Sequence, residues 1–579
     1  MIHWNSWLPK SVLLLRKYSR RQFAADVVAG VTVGLVALPL AMAFAIASGV
    51  PPQLGLYCAM IAGFLISALG GSSTQIGGPT GAFVVVVFGI VTRYGLDGLY
   101  MCTLMAGVFL VLLGITGLGT AVKFIPRPVV VGFTNGIAVI IASTQIKEFF
   151  GLKIDHVPGE FLSRMEILAK KASSISPLET ALGLGALAAV LVCFRYFPKI
   201  PGYIVALFAG TILVWAFKLP VSTIGTRFGG IPAGLPTLHI PHFHVELLRP
   251  LISPAITVAM LGAIESLMSA VVADRMSGDK HNPNVELIGQ GIANIVSPLF
   301  GGLPATGAIA RTATNIRSGA RTPVAGMTHA LTLLAILLFA APLAKFIPLA
   351  VLSAILLVVS YNMGEWREIP ELLKLSRLEI GTWLITFTLT VFADLTVAVE
   401  AGMIMAALVF IRKVTSTTRV SRVTADYVEI GRRHILQDKE IPPYVAVFRI
   451  HGPFLFGATD KVDEVIEHLA ELPPVIILRL RNMTAIDATG LQALQHVADE
   501  VRVAGKGLIF CGALEQPAQL MQQSRFAEHV GAKNMCANIA EALERAREVF
   551  GEVGGGSVPA VQKWGRRSTD RSAAEVEKL

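Results

Sequence analysis

The stretch Gly77-Gly78-Pro79-Thr80-Gly81-Ala82-Phe83 has a counterpart, Gly301-Gly302-Leu303-Pro304-Ala305-Thr306-Gly307-Ala308-Ile309, in the second half of the same hydrophobic region. Both contain Gly-Gly, then a proline, then Thr-Gly-Ala, and both lead into a short apolar run. Paired Gly/Pro-interrupted segments in corresponding halves of a membrane protein indicate a transporter binding site. Each stretch is predicted to start a helix inside the membrane. The free N–H groups of two facing helix starts suit an anion.

The composition divides the chain into a membrane part and a part of ordinary polarity. Of the 579 residues, 53% are hydrophobic and 15% charged, whereas a soluble chain carries roughly a quarter charged residues. Apolar runs of membrane-spanning length are concentrated in one region. The predicted order is a cytoplasmic N-terminus (1–22), a transmembrane domain (23–415), a linker (416–443), an α/β domain (444–550) and a disordered tail (551–579).

The charges and cysteines exclude several function classes. The net charge of +10 comes largely from short loops between apolar runs, which is typical of membrane topology and argues against a nucleic-acid partner. The five cysteines are scattered and suggest neither a zinc site nor a disulfide framework. No Walker A loop or nucleophile–base set is found, so we predict no enzyme activity, no cofactor and no metal.

The transmembrane region is predicted to contain fourteen spans, of which the third and tenth are too short to cross alone. Such half-helices are tolerated where protein or water covers the extended backbone that completes them. Their approximate positions are residues 27–48, 54–70, 80–93, 99–121, 128–147, 177–196, 201–217, 253–274, 285–300, 307–318, 322–342, 347–361, 378–396 and 398–413.

The loop charges predict the orientation. The five even-to-odd loops from the fourth span onward contain Lys or Arg, so both termini are expected in the cytoplasm of a bacterium, with the spans in its inner membrane. Seven spans per half make the halves, about 23–217 and 250–415, an inverted repeat. The basic loop residues are Lys123 and Arg127, Arg195 and Lys199, Arg275 and Lys280, Arg317 and Arg321, and Arg367, Lys374 and Arg377.

After residue 444 the hydrophobic pattern becomes that of a small α/β domain. Buried strands are predicted at 444–450, 475–480 and 508–511, and amphipathic helices at 460–472, 489–504 and 538–550. This alternation of strands and helices indicates an α/β sandwich.

Several motifs in this order resemble the sulfate permease (SulP) family. Segment 35–57 resembles its first span, Glu265-Ser266-Leu267 with Val271-Val272-Ala273-Asp274 its eighth, and Ala310-Arg311-Thr312-Ala313-Thr314-Asn315 its tenth. Ile486-Asp487-Ala488-Thr489-Gly490-Leu491 is similar to the STAS domain that these transporters carry. The resemblance covers roughly residues 12–550.

The resemblance implies a secondary anion transporter without enzymatic activity. It implies a core domain (spans 1–4 and 8–11) and a gate domain (spans 5–7 and 12–14), with the anion carried between half-helices three and ten in an elevator-like step. A homodimer is the usual assembly. Sulfate, bicarbonate, dicarboxylates and halides are substrates of relatives.

The predicted substrate site follows from the two helix starts. The amides of a broken helix and the hydroxyl of Thr80 are anion donors, and an arginine inside the membrane needs a compensating anion or carboxylate. The predicted site comprises Phe44, Thr80, Gly81, Ala82, Phe83, Ile309, Ala310, Arg311 and Thr312. Phe44 and Phe83 are apolar walls by resemblance, and Pro39 is expected to break the first span.

Glu265 is the one acidic residue of the span 253–273 and is the predicted ion-coupling residue. A protonatable Glu265 predicts H⁺ symport, most simply with sulfate. An ionised Glu265 leaves open Na⁺-dependent bicarbonate uptake, and C4-dicarboxylate uptake is a further alternative. A sensor or scaffold with the STAS-like domain as its output is an alternative of another class.

In the α/β domain, Asp487 and Thr489 lie at a predicted strand-to-helix turn, where Thr489 is expected to be the N-cap. By resemblance, a Ser or Thr of this turn can be phosphorylated or contact a nucleotide. We therefore predict a regulatory role for both residues and a cytoplasmic regulator as a partner.

Overall fold

The computed structural model describes residues 7–15, 18–119, 126–154, 157–197, 200–238, 244–393, 395–422 and 441–553. Contacts within the chain divide it into two compact units, Met1–Ala406 and Ala407–Leu579. Residues 423–440 of the predicted linker and residues 554–579 of the predicted disordered tail lie outside the described residues.

The first unit consists of helices and one short two-stranded sheet. Eight of the described helices are long and apolar enough to cross a membrane. The elements, in chain order, are α1 (Lys10–Leu15), α2 (Arg20–Ala47), α3 (Pro52–Leu69), β1 (Gly77–Gly78), α4 (Gly81–Ile115), α5 (Arg127–Phe150), α6 (Phe161–Lys170), α7 (Pro177–Tyr196), α8 (Gly202–Phe217), α9 (Ile224–Phe228), α10 (Val245–Ser277), α11 (Pro283–Val296), β2 (Thr306–Gly307), α12 (Ile309–Arg317), α13 (Val324–Ala340), α14 (Leu349–Met363), α15 (Ile369–Leu372), α16 (Arg377–Phe392) and α17 (Leu395–Thr417).

Helical segments occur at all fourteen predicted span positions. The third and fourth spans, predicted as separate helices, are the two helical segments of α4, which meet at Gly95; its φ of 69° and ψ of −169° are not helical. Glycine adopts such a backbone conformation without steric cost, so the chain can change direction there. Pro39 lies within the continuous helix α2, so the predicted break of the first span was wrong.

The helices of the first unit form two bundles. The core bundle consists of α2, α3, α4, α10, α11, α12 and α13, in which α4 packs on α10 and α11, and α13 packs on α2 and α3. The gate bundle consists of α5, α7, α8, α14 and α16, in which α5 packs on α14 and α16, and α7 packs on α8 and α14. The bundles meet where α2 contacts α8 and α14 and where α4 contacts α5.

The second unit is a five-stranded sheet with helices on both faces. Its described elements are β3 (Arg419–Arg422), β4 (Val445–Phe454), α18 (Asp463–Glu467), β5 (Val475–Ile486), α19 (Ala488–Val503), β6 (Gly507–Cys511), α20 (Glu515–Gln523), α21 (Phe526–Val530), β7 (Met535–Cys536) and α22 (Ile539–Glu552). The order is β3-β4-β5-β6-β7, with β3 antiparallel to β4 and the other pairs parallel.

The alternation of side chains along the strands explains the two layers. Phe448, Leu478 and Phe510 pack with α18 to α21 on one face, whereas Ile477 and Ile509 pack with α22 on the other. The predicted strands and helices are present. The sequence reading missed β3, β7, α20 and α21, which are short or lack a clear apolar period.

Candidate anion site

The two glycine-rich stretches meet in the middle of the core bundle. Gly77 pairs with Gly307, and Gly78 pairs with Thr306, in the antiparallel sheet β1-β2. Helix α4 begins three residues after β1, and α12 begins two residues after β2. This antiparallel pairing is the arrangement expected at the centre of an inverted repeat.

Buried side chains supply the hydrogen bonds that the extended backbone around β2 would otherwise lack. The Asn294 side chain accepts from the Ala305 N–H at 2.8 Å and donates to the Ala305 carbonyl at 2.9 Å. The Ser266 hydroxyl accepts from the Gly307 N–H at 3.1 Å and from the side-chain amide of Gln75 at 2.8 Å. In the absence of water every such backbone group needs an internal partner, so these contacts explain how irregular backbone persists here.

The strand β1 is held from the side of α12. The Thr312 hydroxyl accepts from the Ile76 N–H at 3.0 Å. Arg311, which is 3% exposed, donates from Nη2 to the Pro79 carbonyl. Its Nη1 is buried without a partner among the residues that the structure describes. The side chains of Thr312 and Arg311 are thus hydrogen-bonded to the residues that flank β1.

The starts of α4 and α12 offer unpaired backbone donors. Neither N-cap residue, Thr80 or Ala308, caps its helix with a side chain. The first N–H groups of each helix lack intrahelical acceptors by geometry, and within the described ranges no other backbone acceptor meets those of Gly81, Ala82 or Ile309. Gly81 and Ala82 are buried, whereas Ile309 is 37% exposed.

A carboxyl group lies directly beside these donors. The Thr80 hydroxyl donates to Oε2 of Glu265, on α10, at 2.8 Å. Glu265 is partly buried and interacts electrostatically with Arg311. A neutral hydroxyl, a carboxyl group, a guanidinium and two helix N-termini are thus brought together in the core bundle.

The site faces the gate bundle. A methyl group added at Gly81 would lie 2.9 Å from Sδ of Met363 on α14 and 3.2 Å from Cδ1 of Ile141 on α5. Phe83 is 3% exposed and lies beside Gly262 of α10, and Phe44 is 5% exposed. Both rings belong to the buried core of the membrane unit.

A cavity of about 790 Å³ lies beside α10 and the gate bundle. Ile264 and Met268, which flank Glu265 on α10, line it together with Arg127, Glu365 and Glu368. The cavity therefore brings charged residues from the end of α5 and the segment after α14 near the helix that carries Glu265.

In the second unit the predicted cap was wrong. Asp487, not Thr489, is the N-cap of α19: its carboxylate accepts from the Gly490 N–H at 2.8 Å and from the Phe456 N–H at 3.0 Å. Thr489 is exposed in the first turn of the helix. Ser and Thr are not the only strong N-caps, and Asp487 also reaches a second strand-end amide, which sequence spacing does not reveal.

Sequence reasoning also missed the residues that support the site. Gln290 and Asn294 lie one turn apart on α11, and both donate to the Ala305 carbonyl. Two buried amides at helical spacing on an apolar span were the signal that could have indicated them, because buried amides need partners.

Comparisons with known proteins agree with this architecture. The sequence model of the Sulfate permease family matches residues 23–386, and that of the STAS domain matches residues 437–542. The Putative sulfate transporter YvdB of Bacillus subtilis is 40% identical over 519 residues, which are 89% of this chain and 96% of the relative. The Bicarbonate transporter BicA of Picosynechococcus sp. is 30% identical over 547 residues, which are 92% of this chain and 96% of the relative.

Two solved structures share the fold. The overall structure of SLC26A9 matches with a TM-score of 0.81 at 19% identity, covering 95% of both chains. The transmembrane domain of a cyanobacterium bicarbonate transporter BicA matches with a TM-score of 0.60 at 36% identity, covering 66% of this chain and 98% of that one. The predicted family is confirmed: the chain belongs to the sulfate permease family of anion transporters, with a multi-pass membrane domain followed by a STAS domain.

Proposed function

We propose that the protein is a proton-coupled transporter of sulfate or a closely related oxyanion, and that the anion binds between the starts of α4 and α12. The observation that carries this proposal is the Thr80–Glu265 contact beside two uncapped helix starts. This contact places the Glu265 carboxyl group, which can hold a proton, beside backbone N–H groups that can bind an anion.

The positive charge of the two helix starts favours an anion. Each helix N-terminus is equivalent to about half a positive charge, and the first amides of α4 and α12 have no partner of their own within the described ranges. Phe44, Thr80, Gly81, Ala82, Phe83, Ile309 and Ala310 are the proposed contact residues. Arg311 and Thr312 are hydrogen-bonded to Pro79 and Ile76. We therefore propose that they support the site without contacting the anion, and that Arg311 attracts the anion through its charge.

The same charges can couple the anion to a proton. When Glu265 is ionised, its charge offsets that of Arg311, and the site is close to neutral apart from the helix dipoles. When Glu265 is protonated, the positive charge of Arg311 is uncompensated and an anion is favoured. A proton and an anion therefore increase each other's affinity, and this reciprocity is what symport requires.

The two bundles support an elevator-type movement. Polar contacts tie the core bundle together around Ala305, and polar contacts tie the gate bundle together where Asn135 donates to the Gly364 carbonyl and accepts from Trp383. The proposed anion site lies on the core side of their boundary, at Gly81. A core that moves against the gate would carry the anion with it.

The relatives leave two anions to compare. One relative is named a sulfate transporter and another a bicarbonate transporter, and C4-dicarboxylates remain a further class. The proposed donors are mostly backbone amides, which do not by themselves select one small anion. Sulfate uptake is therefore the first assay, and competition by bicarbonate, fumarate and chloride is the second. Replacement of external Na⁺ by K⁺ distinguishes H⁺ coupling from Na⁺-dependent bicarbonate uptake.

The central experiment measures labelled sulfate uptake by the full chain in proteoliposomes with an acidic exterior. Uptake above equilibrium is expected for the natural protein and for the control Glu246→Gln, which changes an exposed carboxylate on the same helix. Glu265→Gln should retain sulfate exchange and lose accumulation driven by the pH gradient. Gradient-driven accumulation by Glu265→Gln would remove Glu265 from coupling, and no flux of any anion in the panel would refute the proposal.

We further propose that the protein works as a homodimer in the bacterial inner membrane, with both termini in the cytoplasm. The basic loops between predicted spans support this orientation. Labelling of single cysteines in intact cells tests it, since a cysteine placed at position 502 should react only after the membrane is permeabilised.

Finally, we propose that the STAS domain, with Asp487 and the exposed Thr489, regulates transport through a cytoplasmic partner. Deletion of 431–579 distinguishes this role from that of a sensor with a STAS output. Transport that survives deletion but loses regulation supports the proposal, whereas a chain that never transports an anion but binds a partner through this domain supports the sensor alternative.

A further inference from the structure

A buried histidine lies in the core bundle without a hydrogen-bond partner. His329 of α13 is 0% exposed, and neither of its ring nitrogens meets a donor or an acceptor among the residues that the structure describes. Buried polar groups are nearly always hydrogen-bonded, so each exception needs an explanation. The proposed transport site does not use this ring, and its position therefore requires another reason.

Arg311 has the complementary need for an acceptor. Its Nη2 donates to the Pro79 carbonyl, but its Nη1 is buried and lacks an acceptor within the described ranges. Burying an ionised group is costly unless its hydrogen bonds are satisfied. Arg311 and His329 also interact electrostatically, so the two unsatisfied side chains lie near each other.

Strand β1 lies against both side chains. A methyl group added at Gly63 of α3 would lie 3.0 Å from the Gly77 carbonyl oxygen and 3.6 Å from Cε1 of His329. A methyl group added at Gly78 would lie 2.7 Å from Nη1 of Arg311. The ring is therefore close to the first residue of β1, and the unpaired Nη1 is close to the second.

The hydrogen-bonding capacities of the two groups match. A guanidinium only donates hydrogen bonds, whereas a neutral imidazole has one nitrogen that accepts. A second buried positive charge beside Arg311 would be costly, and no acidic partner meets the His329 ring among the described residues. The ring is therefore neutral. One buried water molecule, which can accept from Nη1 and donate to the ring, satisfies both groups.

We propose that His329 is a positioning residue for the anion site, linked to Nη1 of Arg311 by one ordered water molecule beside β1. The proposal rests on the proposed function, in which the charge of Arg311 favours the anion. In this arrangement Nη2 is bonded to Pro79 and Nη1 makes no hydrogen bond to Glu265. Without His329, Nη1 turns toward the Glu265 carboxylate, which lowers the positive charge available to the anion.

A double-variant cycle on the full chain in detergent tests the link between the two side chains, with Tm as the measurement. His329→Leu removes the water-mediated acceptor of Arg311 and should lower the Tm. In an Arg311→Met background the same change should have little effect, because removing both polar partners avoids the cost of an unpaired buried group. Such cycles isolate the interaction between two residues from the effect of each one alone.

Binding of labelled sulfate to the same proteins tests the positioning role. His329→Leu should raise the dissociation constant of sulfate at least about tenfold, the effect of losing one hydrogen bond to a charged group. His329→Asn and His329→Gln each place an amide oxygen near one of the two ring nitrogens, and one of them should restore most of the affinity. Thr332→Val is the matched control: it removes a hydroxyl of α13 that is bonded to the Thr328 carbonyl, and it should bind sulfate like the natural protein.

Equal changes in Tm for His329→Leu with and without Arg311 would overturn the proposal, and so would an unchanged sulfate affinity in His329→Leu. If His329→Leu alone does not fold, the double variant decides. It should fold as well as Arg311→Met, and its failure to fold while Arg311→Met folds would overturn the link. Coupled Tm values in a protein that binds no sulfate would refute the proposed function and support the link, whereas sulfate binding without coupling would overturn the link alone.

Discussion

Gly81 offers a direct test of the idea that the anion site moves along the gate bundle. Gly81→Ala adds a methyl group that would lie 2.9 Å from Sδ of Met363 and 3.2 Å from Cδ1 of Ile141. Favourable contacts between heavy atoms lie at about 3.5–4.0 Å, so the overlap with Met363 is about 0.6–1 Å. Overpacking of this kind costs about 1–3 kcal/mol. If this cost falls on a state through which the transport cycle passes, sulfate uptake should fall by about 5- to 150-fold.

Two further variants distinguish a steric clash with Met363 from a general defect in folding or transport. Gly89→Ala lies on the same helix with nothing within 4 Å of the added methyl group, and it should transport normally. Met363→Ala removes the side chain that the added methyl group would contact, so the double variant Gly81→Ala/Met363→Ala should recover much of the uptake. Initial uptake rates in proteoliposomes are the measurement. A Gly81→Ala protein that transports like Gly89→Ala, or a double variant no better than Gly81→Ala alone, would refute the reasoning.

Four further outcomes are expected. Asn294→Leu leaves the Ala305 N–H without its partner and should lower the free energy of unfolding by about 2–3 kcal/mol, seen as a lower Tm in detergent; an unchanged Tm would contradict the assigned support. Asp487→Ala should destabilise the STAS domain by about 1–2 kcal/mol in denaturant titrations, whereas Thr489→Ala should change it by less than about 0.5 kcal/mol; equal effects would argue against the observed cap. Burial raises the pKa of Cys511 to about 12, so its thiol should stay protonated and resist maleimide at about pH 8 until the domain unfolds; rapid labelling of the folded protein would count against this burial. Burial raises the pKa of Asp279, but hydrogen bonds from Ser73 and Lys10 outweigh burial and hold it below its ordinary value. The Lys10–Asp279 pair should therefore persist from about pH 8 to about pH 5 and be lost only below the ordinary carboxyl pKa of about 3.9. Amide exchange in 10–15 should then be pH-independent after correction for the intrinsic rate and faster in Lys10→Gln; a release of α1 near pH 5 would oppose this assignment.

The site was predictable where chemistry is written in local sequence. The repeated Gly-Gly, Pro and Thr-Gly-Ala pattern indicated two broken helices, and Glu265 stood out as an acidic residue in an apolar span. The direction of Arg311 was not predictable, because a guanidinium at a helix start can face either the anion or the protein. Only the folded structure shows that Nη2 of Arg311 donates a hydrogen bond to the Pro79 carbonyl.

The supporting contacts were unpredictable for a related reason. Asn294 and Ala305 are eleven residues apart and become partners only because α11 and β2 fold against each other. The neighbouring positions of Arg449 on β4 and Arg479 on β5 likewise depend on strand register, and a shift of one residue would move either side chain to the opposite face of the sheet.

Local residue pattern was sufficient to specify a membrane region of repeated design, its broken helices and an α/β domain after it, since hydrophobic runs, glycine and proline act over a few neighbouring residues. Folding in three dimensions decided which groups meet: Thr80 with Glu265, Arg311 with Pro79, and Gly81 with Met363. Hydrogen bonds and charge interactions depend on distances of a few ångströms between remote segments. Such distances are a property of the packed chain, which is why a linear pattern cannot contain them.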